Sequence, residues 1–160
     1  MSHTIRRLAL AAATAVLLPA APGAMPAHAA GYQETELSEP KPSFAEPRKV
    51  VLQLSSGDPD TINNVLYNAV NIQKFYGMDK VQIAVIVYGP GMEALYAESS
   101  PVRERITSLQ QYDIEFVGCG NTMDATGHGP QELIDGVSWV EAGIAEIIER
   151  KLAGWTIVRP

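Results

Sequence analysis

Cys119 is the only cysteine in this 160-residue chain, and its setting makes it a candidate for chemistry. Asp113 to Gly118 reads as a strand, and Gly120-Asn121-Thr122-Met123 reads as a small-residue turn that opens a helix. A thiol delivered to such a corner meets unpaired backbone N–H groups, which favour thiolate over thiol. The thiolate is the nucleophile in exchange at sulfur. With no second cysteine, Cys119 cannot close an internal disulfide. It is therefore reactive, paired with another molecule, or a small buried hydrophobe at a strand end, as free cysteines commonly are. On the residues alone these readings stay open.

His128 follows nine residues later, in the polar passage Asp124-Ala125-Thr126-Gly127-His128-Gly129-Pro130. It either lowers the Cys119 pKa as an ion-pair partner or proton shuttle, or it is a solvent-exposed loop histidine. Cys119, Met123 and His128 could be drawn together as a soft metal set, with Met78 and Met92 as further sulfur, but the spacing matches no recognised metal motif. No metal and no other cofactor is expected. Asp58 and Asp60 stand before a helix and read as caps rather than as acid/base carboxylates. Trp139 and Trp155 read as core or subunit contacts. There is no nucleophile elbow, P-loop or dinucleotide fingerprint.

The elements that must position Cys119 follow from periodicity. Lys49–Leu54 is a short apolar strand, and Asp58-Pro59 then suits an N-cap and first helical position. Ile62, Val65, Leu66, Ala69, Val70, Ile72 and Phe75 recur at helical spacing until Gly77. Lys80–Tyr88 is a second buried strand, ending at Gly89-Pro90-Gly91. Met92–Tyr96 and Val102–Gln110 form a broken helical segment, and Asp113–Gly118 is the third strand. A long helix is predicted from about Pro130 to Leu152, with Leu133, Val137, Val140, Ile144, Ile147, Ile148 and Leu152 on one face and Gly154 ending it, and Trp155–Val158 is a last strand. Strands alternating with helices, two of them apolar on both faces, indicate an α/β fold with a mainly parallel sheet. The strand order stays open.

In such sheets ligands bind beyond the carboxyl ends of the strands. Three turns leave those ends: one with Ser55, Ser56 and Gly57, one with Gly89 and Gly91, and one with Gly120, Asn121 and Thr122. If they converge, they form a shallow pocket of N–H donors with the thiol on its rim, suited to a small anion or a negatively charged sulfur species.

At the N-terminus, Arg6-Arg7 precedes an uncharged apolar run from Leu8 to Ala21, and Ala27-His28-Ala29 fits a signal-peptidase site. Residues 1–29 read as a signal peptide, 30–48 as a Pro/Glu/Ser-containing mobile tail or surface strap, and 49–160 as one α/β domain. A periplasmic or secreted protein without stable membrane insertion after cleavage is expected. The signal segment holds two of the twelve basic residues and none of the eighteen acids, so the remainder carries a net charge of −8. That balance argues against nucleic acid as a partner.

Several of these stretches also resemble one family. Cys119-Gly120-Asn121-Thr122-Met123 after an apolar strand, Gly143-Ile144-Ala145-Glu146-Ile147-Ile148, and the closing Gly154-Trp155-Thr156-Ile157-Val158-Arg159-Pro160 look like the DsrE/DsrF-like family, in particular its small exported branch. The resemblance spans roughly Lys49 to Pro160. It implies a three-layer α/β/α fold, assembly as a homotrimer or hexamer, and sulfane sulfur carried as a persulfide on the cysteine at position 119. Small sulfur species or a sulfur donor or acceptor protein would be the partners. The alternative is a non-catalytic oligomeric protein that binds a small ligand or partner, with Cys119 structural.

Overall fold

The computed structural model describes residues 33–160, so the segment read as a signal peptide, residues 1–29, lies outside the described residues. Residues 33–47 hold no helix or strand. Ser38–Pro160 is one compact unit, in which the Arg48 guanidinium donates to the Ser38 carbonyl at 2.6 Å.

Five strands make the sheet: β1 (Arg48–Leu54), β2 (Val81–Val87), β3 (Ile114–Cys119), β4 (Ser138–Val140) and β5 (Thr156–Val158). Their order is β4-β3-β2-β1-β5, and every neighbouring pair runs parallel. The α-helices are α1 (Pro59–Tyr76), α2 (Arg103–Gln110), α3 (Gly120–Thr126) and α4 (Gly143–Leu152). Short 3₁₀ segments occupy Met78–Lys80, Gly89–Ala94 and Pro130–Glu132.

Strand alternation sorts the core into two faces. Val50, Leu52 and Leu54 of β1, Ile83, Val85 and Val87 of β2, and Ile114 and Phe116 of β3 join a large cluster with α1, α2 and Met123 of α3. Val51, Ala84, Ile86 and Val117 point the other way, where Ile147 of α4 covers them. The result is the expected three-layer α/β/α architecture, with a sheet that is parallel throughout.

α1 begins and ends where its punctuation dictates. Asp58 accepts from the Thr61 N–H at 2.8 Å, Pro59 opens the helix, and Gly77 closes it at φ 90°. α4 is pinned to the sheet by Arg150. That guanidinium forks Glu115 on β3 at 2.7 and 2.9 Å, bonds Glu146 at 2.7 Å, and lies 4.8 Å from the Trp155 ring centre. The Glu115 hydrogen bonds, opposed by burial and aided by Glu146, raise its pKa above the usual arginine value.

The long helix expected over Pro130–Leu152 is not one element. It resolves into the 3₁₀ turn, the edge strand β4 and α4. Gly136 adopts φ 81°, a left-handed conformation that ends helical propagation, and Ser138-Trp139-Val140 then pairs with Val117, Gly118 and Cys119. Trp139 is half exposed on this edge rather than in the core.

Candidate functional site

β3 and β4 are neighbours, but the helices that follow them leave on opposite faces of the sheet. α3 places Met123 in the large core, whereas α4 places Ile147 in the small one. Adjacent parallel strands whose connections diverge in this way open a crevice at their carboxyl ends. Cys119, the last residue of β3 and the N-cap of α3, sits in that crevice.

Its surroundings are built from backbone. The Cys119 N–H donates to the Met92 thioether at 3.3 Å, which holds the strand end down. Its sulfur lies 4.0 Å from the Glu141 carbonyl, which also accepts the Asn121 N–H at 2.8 Å. Close approach needs glycine on both sides. A Cβ on Gly120 would come within 3.1 Å of the Val140 carbonyl oxygen, and one on Gly143 within 3.3 Å of the Cys119 Cβ.

Cys119 is 6% exposed. Burial is the largest single influence on the thiol and works against the thiolate, yet the net pKa is lowered. The Thr122 hydroxyl and the N–H groups of Gly143, Thr122 and Asn121 outweigh burial together. The thiol thus lies between the first residues of the two helices that flank the crevice.

The three turns of the expected pocket meet at this end of the sheet by packing on one another. A Cβ on Gly57 would stand 2.9 Å from the Pro90 carbonyl oxygen, and one on Gly91 2.6 Å from that of Leu54. Gly89, at φ 56°, donates its N–H to the Thr122 hydroxyl at 3.0 Å. Ser55 and Ser56 are half-buried, and the Ser56 hydroxyl accepts the Asp58 N–H at 3.1 Å. Gly120 is buried beside the thiol, and Asn121 is exposed.

His128 is placed in a different cluster. Its Nδ1 lies 2.8 Å from Glu132, and its ring stacks on Tyr96 with centroids 4.0 Å apart. The hydrogen bond from His128 is the first cause of a lowered Glu132 pKa, and His128 is not among the groups that shift Cys119. A cavity of about 470 Å³ opens there, lined by Tyr96, Glu98, Ser99 and Gln131 among others. Among the described residues no group of three or more His, Cys, Asp or Glu side chains is arranged to hold a metal ion.

Residues of the β4–α4 turn were absent from the sequence-derived site. Glu141 and Gly143 touch the thiol directly, and Trp139 lines an adjoining groove of about 360 Å³ with Gly120, Asn121, Met123 and Glu141. The available signal was Gly143 itself, a glycine placed immediately after Glu141-Ala142 where the chain passes tightly over Cys119.

A three-layer α/β domain with one cysteine at the switch point of a parallel sheet is the class that fold and site define. The DsrE/DsrF-like family model matches residues 48–160, and the chain belongs to that family. Among solved structures it is similar to a protein of unknown function, MTH1491, from Methanobacterium thermoautotrophicum. The two share 26% identity at a TM-score of 0.68, over 71% of this chain and 99% of that one. The fold is shared with the ychN protein from E. coli, at 14% identity and TM-score 0.59 over 71% and 99% of the two chains. It is also shared with BT1422, a conserved protein of unknown function from Bacteroides thetaiotaomicron, at 20% and 0.53 over 70% and 94%. No curated protein matches the chain. Family membership suggests a role related to sulfur relay.

Proposed function

We propose that this protein is an exported carrier of sulfane sulfur, held as a persulfide on Cys119. The observation that carries the reading is the place of the one thiol, at the carboxyl end of β3 and between the first residues of α3 and α4, where neighbouring polar groups lower its pKa despite burial. The Cys119 thiolate attacks a sulfane sulfur of a polysulfide or thiosulfate-type donor, or of a donor persulfide. One S–S or S–S(O) bond breaks as the new S–S bond forms, and the electron pair leaves with the donor remnant. A nucleophile, on a small thiol or an acceptor protein, then takes the outer sulfur and returns Cys119 as thiolate. No external oxidant or reductant enters the cycle. The N–H groups of Gly143 and Thr122 and the Thr122 hydroxyl are the polar groups nearest to hand for the anionic sulfur.

Export rests on the Arg6-Arg7, Leu8–Ala21 and Ala27-His28-Ala29 pattern. Assembly with further copies of the chain rests on α4, where Ile144, Ile148 and Leu152 stand exposed one turn apart. That stripe lies on the helix whose first residue touches Cys119, so sites would fall near subunit junctions.

The test is intact mass after exposure to polysulfide or thiosulfate, with and without reductant. A reductant-labile gain of sulfur that disappears in Cys119→Ser is expected, and its rate rises as pH climbs through the depressed thiol pKa. One observation favours the second reading, an oligomeric binding protein with a structural thiol: Cys119 is only 6% exposed. No mass gain, with alkylation only after unfolding, would establish that reading instead.

A further inference from the structure

We propose that the cavity beside His128 is a second binding site, built for a small organic cation that carries N–H donors. About 470 Å³ in volume, it lies between two stretches of chain, residues 96–99 and 128–132. Backbone joins the two. Tyr96 and Leu133 form an antiparallel bridge, the Ala97 N–H donates to the Glu132 carbonyl at 2.8 Å, and the Ile134 N–H donates to that of Leu95 at 2.9 Å. The walls are thus fixed before a ligand arrives, which lowers the ordering cost of binding. His128 is fixed with them. Its N–H donates to the Met123 carbonyl at 3.0 Å, its ring stacks on Tyr96, and its Nδ1 meets Glu132.

The lining is rich in acceptors. Glu132 is an ionised carboxylate at neutral pH, held below the usual range first by the hydrogen bond from His128. An ionised carboxylate only accepts, so Nδ1 carries the proton of the neutral ring and Nε2 is left with a lone pair. Among the described residues Nδ1 is the one nitrogen of that ring with a hydrogen-bond partner. Glu98 has no ion pair among the described residues, and no Lys or Arg lines the cavity. The neighbouring Arg103 donates to the Ala97 carbonyl at 3.2 Å and lines a different cavity. Two carboxylates, an imidazole lone pair and the Ser99 hydroxyl therefore share one space without a cation of the chain's own. A bare metal ion fits it poorly, since both Glu132 oxygens already accept hydrogen bonds, from His128 and from the Gly129 N–H. An ammonium or guanidinium needs only acceptors. Tyr96 gives independent support. It is the one buried side chain of the lining, and its hydroxyl has no hydrogen-bond partner among the described residues. A buried hydroxyl without a partner is costly, and a ligand N–H that reaches it relieves that cost.

The site stands apart from the carrier reading, because none of its groups shifts the Cys119 thiol. The probes are methylguanidinium and ethylammonium chloride. Tetramethylammonium chloride, which has the charge but no N–H, is the control. Binding is followed in the imidazole proton–nitrogen correlation spectrum of the full folded chain, with the His128 signal assigned by its loss in His128→Gln. Above the titration of the ring, the free protein should show the Nδ1–H tautomer. At least one probe should move the His128 signal along a saturable curve that tetramethylammonium at equal concentration does not reproduce. Glu98 is exposed, so Glu98→Gln should leave the circular dichroism unchanged. It should weaken the probe's affinity by about tenfold, the scale of one hydrogen bond to a charged group. Glu98→Ala repeats the measurement if the glutamine variant misfolds. An Nε2–H tautomer, no saturable shift with either probe, a shift that tetramethylammonium matches, or full affinity in the folded Glu98 variant overturns the proposal.

Discussion

At the level of single residues, the site is governed by how closely backbone can approach sulfur. Cys119 exchanges solvent for hydrogen bonds, and the exchange works because Gly120 and Gly143 let two chain segments close on it. The same logic applies one strand away. Gly91 lies against the Leu54 carbonyl, where a methyl group would stand 2.6 Å from the oxygen, far inside contact distance and against backbone that cannot swing away. Gly91→Ala should therefore destabilise the fold by about 1–3 kcal/mol, read as a lowered denaturant midpoint at unchanged slope. Because Gly91 shares its turn with Gly89, the variant should also loosen the Thr122 contact. Cys119, Gly120, Asn121 and Thr122 were visible in the sequence as a strand-to-helix corner. His128 was visible too, but only the structure could seat it against Tyr96 and Glu132, since a flexible polar loop carries no directional signal.

Elements with clear punctuation were the ones whose limits could be read. Asp58-Pro59 and Gly77 bracket α1, and the structure uses all three residues as read. Asp58 is held below the usual carboxylate range, first by the Thr61 N–H and then by the Thr61 hydroxyl, against a small opposing effect of burial. Its folded pKa is depressed, so its contribution is present above the unfolded aspartate pKa, near 4, and is lost as pH falls through the lower folded value. Asp58→Ala should thus lower the melting temperature at neutral pH, and the gap between variant and native should close on acidification below pH ~4. A gap that persists unchanged in acid would assign the loss to something other than the charged cap. The span Pro130–Leu152 fared differently. Val137, Val140, Ile144, Ile147 and Ile148 satisfy a 3.6-residue period, yet β4 is only three residues long and its neighbour in the sheet comes from β3. A strand so short shows little alternation of its own, and its pairing partner supplies the signal that periodicity lacks.

For the whole molecule, the open question of assembly is carried by α4. One helix covers the second face of the sheet, burying Ile147 and leaving Ile144, Ile148 and Leu152 at 54, 53 and 77% exposure. Three large aliphatic side chains on one exposed helical stripe are costly to leave in water at about 25 cal/mol per Å². Ile148→Glu should shift an assembled protein toward monomer in light scattering while leaving the circular dichroism unchanged. A native protein that is already monomeric would remove the oligomer from the proposal. Among the described residues no helix is long and apolar enough to cross a membrane.

The chain's own order of residues determined that strands alternate with helices, that the sheet is largely buried and parallel, and that a lone thiol ends the third of its strands. Those properties are local, written in side-chain period and in the glycines, prolines and caps that stop each element. Tertiary structure alone decided that β4 lies beside β3 and that their helices part to opposite faces. It also decided that the Gly143 and Glu141 backbone closes over Cys119. Those contacts join residues more than twenty positions apart, through backbone atoms that every residue type carries. Gly143 was the one residue in the sequence that hinted at them.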